Sequence, residues 1–151
     1  MKLTEILRPE CVRAPLKARE KYEAITELVD VLAEAGRIYD REVVLRAVLD
    51  RERTASTGVG MGLAVPHGKC GGCSDLVMSV GKPAEPIDFE SKDRDPVQII
   101  VLLASPPDKT GPHIQALARV SRLMMTDSFR ERLPAVQSAD ELFELIREHD
   151  H

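Results

Sequence analysis

The chain has no tryptophan, and aromatic residues fill only 3% of its 151 positions. A chain of this length buries a real core, which here has to be built from Leu, Val, Ile, Ala and Met. The same scarcity argues against single-stranded nucleic-acid binding, because bases stack on aromatic rings. There is no basic excess either: 21 Lys and Arg stand against 25 Asp and Glu, for a net charge of -4. A phosphate backbone recruits the opposite balance, so no nucleic-acid partner is expected. Long apolar runs are also missing. The strongest, Ile99-Ile100-Val101-Leu102-Leu103-Ala104, falls far short of the roughly 20 residues a spanning helix requires. The opening Met1-Lys2-Leu3-Thr4-Glu5-Ile6-Leu7-Arg8 lacks the apolar centre of a signal peptide. These features predict a cytoplasmic protein, peripheral to a membrane at most. Three cysteines, an odd number in a chain without an export signal, predict reduced thiols rather than a disulfide framework.

What is present is ordinary in bulk, with 43% hydrophobic and 30% charged residues and no repeat or linker. One domain over residues 1–151 is the simplest organisation. Ile25, Leu28, Val29, Leu32 and Ala33 recur at helical spacing between Lys21 and Ala35, and Gly36 ends the pattern. Asp40 reads as the N-cap of a second helix running to about Glu52. Val43, Val44, Ala47 and Val48 would face inward and Arg51 would stand near its C-terminal end. Glycines break any period from Thr57 to Gly62, which reads as a loop. Strands are expected at Val12–Leu16, Leu63–Val65, Leu76–Val80 and, centrally, Val97–Ala104. Gly111-Pro112 should open a helix with Pro at its first position. Ile114, Leu117, Ala118, Val120, Leu123 and Met124 would form its inner face. Ser138-Ala139-Asp140-Glu141 fits a capping box for a last helix through Leu142, Phe143, Leu145 and Ile146. Helices flank strands early and late, which predicts an α/β class: a single domain with a mixed β-sheet flanked by helices on both faces.

The segment Gly58-Val-Gly-Met-Gly-Leu-Ala-Val-Pro-His67-Gly68 carries the chemistry. Its glycines permit close approach of an anion, Pro66 stiffens the residue before the histidine, and Gly68 leaves the imidazole unshielded. A histidine is a nucleophile near neutral pH without a separate base, since its ordinary pKa is about 6.5. An incoming phosphoryl group needs charge compensation. Arg51 would offer a bidentate guanidinium, and His113, in the first turn of another helix, a hydrogen bond. Taken singly, each has a bland explanation. A histidine before glycine in a loop is usually a surface residue, Asp50-Arg51-Glu52-Arg53 reads as a solvated helix face, and His113 reads as a helix-start residue.

Together they resemble something specific. The stretch Arg51-Glu-Arg-Thr-Ala-Ser56-Thr57-Gly58-Val-Gly60-Met-Gly62-Leu-Ala64-Val-Pro66-His67-Gly68 resembles the active-site signature of enzyme IIA of the bacterial phosphotransferase system, in the class shared by fructose, mannitol and nitrogen-regulatory members. Leu7-Arg8-Pro9-Glu10-Cys11-Val12 is similar to the start of the nitrogen-regulatory branch, and His113-Ile-Gln-Ala-Leu117 to the family's second histidine motif. The resemblance implies a phosphohistidine at His67, loaded by a histidine phosphocarrier protein that is itself charged from phosphoenolpyruvate. It implies a phosphate-stabilising Arg51, a second active-site histidine at His113, and a supporting Ser56-Thr57 pair. Regulatory target proteins, or a IIB domain if the chain serves fructose or mannitol uptake, would be its other partners; no cofactor is expected. Met61 departs from the pattern, where a polar residue is common.

His67-Gly68-Lys69-Cys70-Gly71-Gly72-Cys73 invites a rival reading as a metal or redox module. His-x2-Cys-x2-Cys offers three zinc ligands, with Cys11 or another residue as a fourth, but lacks two separated ligand pairs. Cys70 and Cys73 form a possible redox pair, although no strand-to-helix setting is evident. A flexible glycine-rich hairpin with incidental cysteines is the plain alternative. Metal at His67 would compete with nucleophilic use of the same ring.

Overall fold

The most apolar stretch of the sequence becomes the middle of a sheet, as strand β6 (Ile99–Ser105), all of whose residues are buried. The sheet has six strands in the order β1 (Val12–Leu16), β5 (Val77–Pro83), β6, β3 (Leu63–Ala64) and β2 (Gly58–Gly60), and β4 (His67–Lys69) also pairs with β6. β5 is antiparallel to β6, whereas β1 is parallel to β5, and β3 and β4 are parallel to β6. The computed structural model describes residues 1–150.

Among these residues there are five α-helices. On β5, the Ser79 hydroxyl donates to the carbonyl of Leu28 at 3.0 Å, which fixes α1 (Lys21–Glu34) on one face. Alternate residues Met78 and Val80 point the other way, toward Val120 and Leu123 of α3 (Thr110–Met125), Phe129 of α4 (Asp127–Arg132) and Ile146 of α5 (Ala139–Glu148). α2 (Arg41–Thr54) packs on α1 and on β4. The result is the α/β arrangement expected: one domain, one mixed sheet, helices on both faces. No helix among the described residues is long and apolar enough to cross a membrane.

The expected caps form. Asp40 accepts from the Val43 amide at 3.2 Å, and the Ser138 hydroxyl from the Glu141 amide at 3.1 Å. β1 has the expected bounds, and α1 buries Ile25, Leu28, Val29 and Leu32 completely. Val43 of α2 is 40% exposed rather than inward, and two larger expectations need correction. The stretch Thr57–Gly62 is not a loop throughout: Gly58–Gly60 is an edge strand, joined to β3 by Met61 and Gly62 at φ 58° and 81°. Two successive positive φ values match the tight hairpin turn whose twist suits paired strands, and a glycine-rich strand has no side-chain period to betray it. α3 begins at Thr110, so Pro112 is its third residue, and the helix is rotated from its expected face. His113, Ala116, Val120, Leu123 and Met124 face inward, while Ala118 is exposed and Ile114 is 60% exposed. The cause is polar: the Ser105 hydroxyl and His113 Nδ1 are hydrogen-bonded at 2.8 Å, which anchors the helix on its histidine side.

Candidate functional site

Strands β3 and β4 lie end to end along β6, interrupted at Val65-Pro66. Leu63 and Ala64 pair with Ile99 and Ile100; His67, Gly68 and Lys69 pair with Leu103, Ala104 and Ser105. Residues in register point to the same face, so His67 shares the α3 side with Leu103, and Gly68 faces α2. A Cβ on Gly68 would stand 3.1 Å from the Ala47 Cβ and from the Val48 amide nitrogen, so this position is small because α2 crosses directly over it. Pro66 has no amide to give to the ladder, but its carbonyl accepts from Leu103 at 3.0 Å.

The break has a chemical use. His67 Nδ1 lies 2.8 Å from the Val65 carbonyl oxygen. A carbonyl only accepts, so Nδ1 carries the hydrogen and Nε2 keeps its lone pair. Burial lowers the His67 pKa below its ordinary value; Arg51 and Lys69 push it the same way, while the Val65 carbonyl and Glu52 oppose them. The ring is therefore neutral at pH 7 and half-buried.

His113 is beside it, ring centroids 5.3 Å apart and edge to face. It is only 2% exposed, and its pKa is lowered to about 4, first by burial and then by His67 and Lys69. Its Nδ1 is bonded to Ser105, but its buried Nε2 has no partner. Buried ring nitrogens are normally satisfied, so the empty one marks a place where a ligand atom belongs. When the Ser105 hydroxyl donates to Nδ1, the hydrogen sits on Nε2 and His113 becomes a donor. The His113 amide itself is already spent on the Lys109 carbonyl at 3.1 Å.

Arg51 lies in the last turn of α2, with its Nη1 donating to the Ala55 carbonyl at 2.9 Å. Its charge reaches His67. The run around it is a solvated face at Asp50 and Arg53 but not at Glu52, which is 2% exposed. The Glu52 carboxylate accepts from the Thr57 amide at 2.9 Å and from the Thr57 hydroxyl at 2.5 Å, and it is paired with Lys21 Nζ at 3.3 Å. The Ser56 hydroxyl donates to the Phe89 carbonyl and accepts from the Gly58 amide at 3.0 Å. Both hydroxyls thus spend their hydrogens on protein acceptors that shape the loop.

Three segments therefore meet, the start of β4 with His67, the start of α3 with His113 and β6 with Ser105, and the charge of Arg51 at the end of α2 acts on them. Ser105, Glu52 and Lys21 were not singled out from sequence. A Glu within a run of charges signals nothing, and Ser105 stands just past the predicted central strand, before Pro106-Pro107, with no mark of a site residue. The metal arrangement is not supported, since no group of three His, Cys, Asp or Glu side chains among the described residues is placed to hold an ion. The 70–73 segment is also not a flexible hairpin. The Gly72 carbonyl accepts from the amides of Tyr39 at 3.0 Å and Asp40 at 3.2 Å, and the Tyr39 hydroxyl donates to the Gly71 carbonyl at 2.6 Å.

Residues 5–149 match the family model described as phosphoenolpyruvate-dependent sugar phosphotransferase system, EIIA 2. The nitrogen regulatory protein of Klebsiella oxytoca is 34% identical over 151 aligned residues, covering 98% of this chain and 91% of that protein. The fructose-specific EIIABC component of Bacillus subtilis is 33% identical over 99% of this chain, which spans only 24% of that relative's length. Among solved structures, a chain of the Escherichia coli complex of enzyme IIAMTL and phosphorylated enzyme IIBMTL superposes with a TM-score of 0.80 at 25% identity, covering 95% of this chain and 99% of that one.

Proposed function

Because the chain belongs to the EIIA 2 family of the phosphoenolpyruvate-dependent phosphotransferase system, whose business in general is phosphoryl transfer, we propose that residues 1–151 form one EIIA domain that accepts a phosphoryl group on His67 Nε2. The observation that carries this reading is the pairing of two neutral imidazoles in opposite roles. Nδ1 of His67 is committed to the Val65 carbonyl, which leaves Nε2 as a nucleophile, and the neighbouring His113 holds an unpartnered Nε2.

The donor is a histidine phosphocarrier protein. His67 Nε2 attacks phosphorus in line as the donor's N–P bond breaks, and the donor imidazole leaves with the electron pair. No proton has to move. The transition state spreads charge over three equatorial oxygens, so catalysis is positioning and electrostatic stabilisation. Arg51 supplies positive charge from one side and His113 Nε2–H a hydrogen bond from the other. Ser56 and Thr57 support the phosphate indirectly, by fixing the loop through Phe89 and Glu52. Exposed Ile114, next to His113, offers an apolar contact for the carrier's rim.

The role served is of the nitrogen-regulatory kind in a cytoplasmic setting, where phosphorylation changes the charge of a docking surface and with it the choice of target. The end-to-end match to a nitrogen regulatory protein favours this. A fructose- or mannitol-type role, passing the group to a IIB domain, is the second reading, favoured by the resemblance to the IIAMTL–IIBMTL complex.

Incubation with labelled phosphoenolpyruvate, enzyme I and the histidine carrier tests the chemistry. Wild type acquires acid-labile label and His67→Ala does not; equal labelling of both would sink the assignment. Onward transfer of that label to a IIB domain separates the two roles.

A further inference from the structure

The cysteines next to His67 remain outside this mechanism, and their geometry is specific. Residues 70–73 form a turn with Gly71 and Gly72 at its centre. The ends of such a turn lie within about 7 Å, Cα to Cα, and a disulfide spans roughly 4.4–6.8 Å between the same atoms. The side chains are neighbours, since the Cys70 thiol is among the groups that push the Cys73 thiol up. Both are free thiols. The turn is also held in place: Gly72 sits under Val44, where an added Cβ would come within 2.7 Å of the Val44 methyl, whereas a Cβ on Gly71 would meet nothing within 4 Å. One flank is therefore anchored to α2 and the other is open. Cys70 is half-buried on the open approach, and Cys73 is buried behind it.

The turn also touches the histidine pair by two short routes. Cys70 follows β4, three residues after His67, along a strand in register with β6. Its amide donates to the Ser105 carbonyl at 3.0 Å, and the hydroxyl of that same Ser105 holds His113 Nδ1.

We propose that Cys70 and Cys73 are a reversible modification site, closing to an intramolecular disulfide by exchange with low-molecular-weight disulfides, and that closure shifts the setting of the His67–His113 pair. The Cys70 thiolate attacks a small disulfide RSSR, forming Cys70–S–SR and releasing one RS⁻. Cys73 then loses its proton and attacks Cys70 Sγ, forming the Cys70–Cys73 bond and releasing the second RS⁻. The two cysteines are oxidised by two electrons and RSSR is reduced to two thiols. The order follows from access. It also follows from the Cys73 thiol being pushed up to about 12, chiefly by burial and then by Cys70, which makes it a poor first nucleophile and a slow leaving group once bonded. Cys11 is fully buried, with its own thiol pushed up by burial, and takes no part.

The test uses the full chain and oxidised glutathione, with free thiols then alkylated and the intact mass measured. Wild type should lose two hydrogens, retain no glutathione, resist alkylation at both positions and recover fully with dithiothreitol. Cys73→Ser should instead keep one glutathione on Cys70. A lasting glutathione adduct on wild type, a bond to Cys11 or between chains, or thiols that stay unreacted would overturn the site. Histidine-ring NMR reads the second half: His67 and His113 resonances should move on oxidation of wild type and return to their places with dithiothreitol. Resonances unmoved in oxidised wild type overturn the coupling. Neither readout requires phosphoryl transfer, so failure here and failure of the phosphoryl-acceptor reading are told apart.

Discussion

Arg51 and Glu52 are neighbours in sequence, yet each belongs to a different kind of polar cluster. Around Glu52 the hydrogen bonding is closed: its carboxylate takes the Thr57 amide and hydroxyl, and Lys21 supplies the counter-charge and reaches Glu90 as well. Around His67 and His113 it is open, with one buried nitrogen unpaired and one lone pair unshielded. A satisfied buried network specifies a shape, whereas an unsatisfied one keeps free energy available for a ligand. The first cluster builds the loop, and the second is the one proposed to carry the chemistry.

The contrast can be broken in four places. Glu52→Ala leaves Lys21 buried without its main partner, and a broken buried pair costs about 3–5 kcal/mol. Urea unfolding of this variant should show that loss, and full retention of stability would move Glu52 out of the structural class. His113→Ala removes the donor proposed for the transition state, so loading of His67 should slow by about 10²–10³-fold, while loss of the Ser105 bond lowers the urea midpoint by less than Glu52→Ala does. A large stability loss with normal loading would reverse the roles of the two clusters.

Acid supplies the third test. The folded His113 has a pKa of about 4, below the unfolded value of about 6.5. Between those values the unfolded chain holds a proton that the folded chain does not, so stability is lost as pH falls through that window. At about 1.4 kcal/mol per unit, His113 accounts for about 2–3 kcal/mol, read as the difference between wild-type and His113→Gln curves at pH 7 and pH 4. Parallel curves would show that burial of the ring is inconsequential. The smallest effect belongs to Ser105→Ala, which unpins the His113 tautomer; loading should slow by about tenfold, roughly 1.4 kcal/mol. An effect as large as that of His113→Ala would make the hydroxyl itself part of the phosphate site.

Most of the scaffold was legible because its signals are local. Asp40 and Ser138 cap where they should, Gly36 ends α1 at φ 69°, and the run at Ile99 can only be a buried strand. What escaped reading depended on contacts across the fold. β4 contains His67-Gly68-Lys69, a tripeptide with no strand preference, and exists because β6 offers a free edge beyond Pro66. The inward face of α3 followed a histidine, not the apolar stripe through Ile114, because Ser105 lies beneath it. The proposed acceptor, His67, stands out in the sequence only through resemblance to a signature. Which of its nitrogens is free followed only from the position of the Val65 carbonyl.

That carbonyl has a consequence for the product as well as for the attack. With phosphorus on Nε2 and the hydrogen still held on Nδ1 by Val65, the modified ring is a cation. When the group moves on, the ring departs as neutral imidazole rather than as imidazolate. A poor leaving group becomes a good one because one peptide oxygen, that of Val65, accepts from Nδ1 and keeps the hydrogen there. In the proposed reaction the interruption in the strand therefore favours onward transfer, and keeps the phosphoryl group on loan.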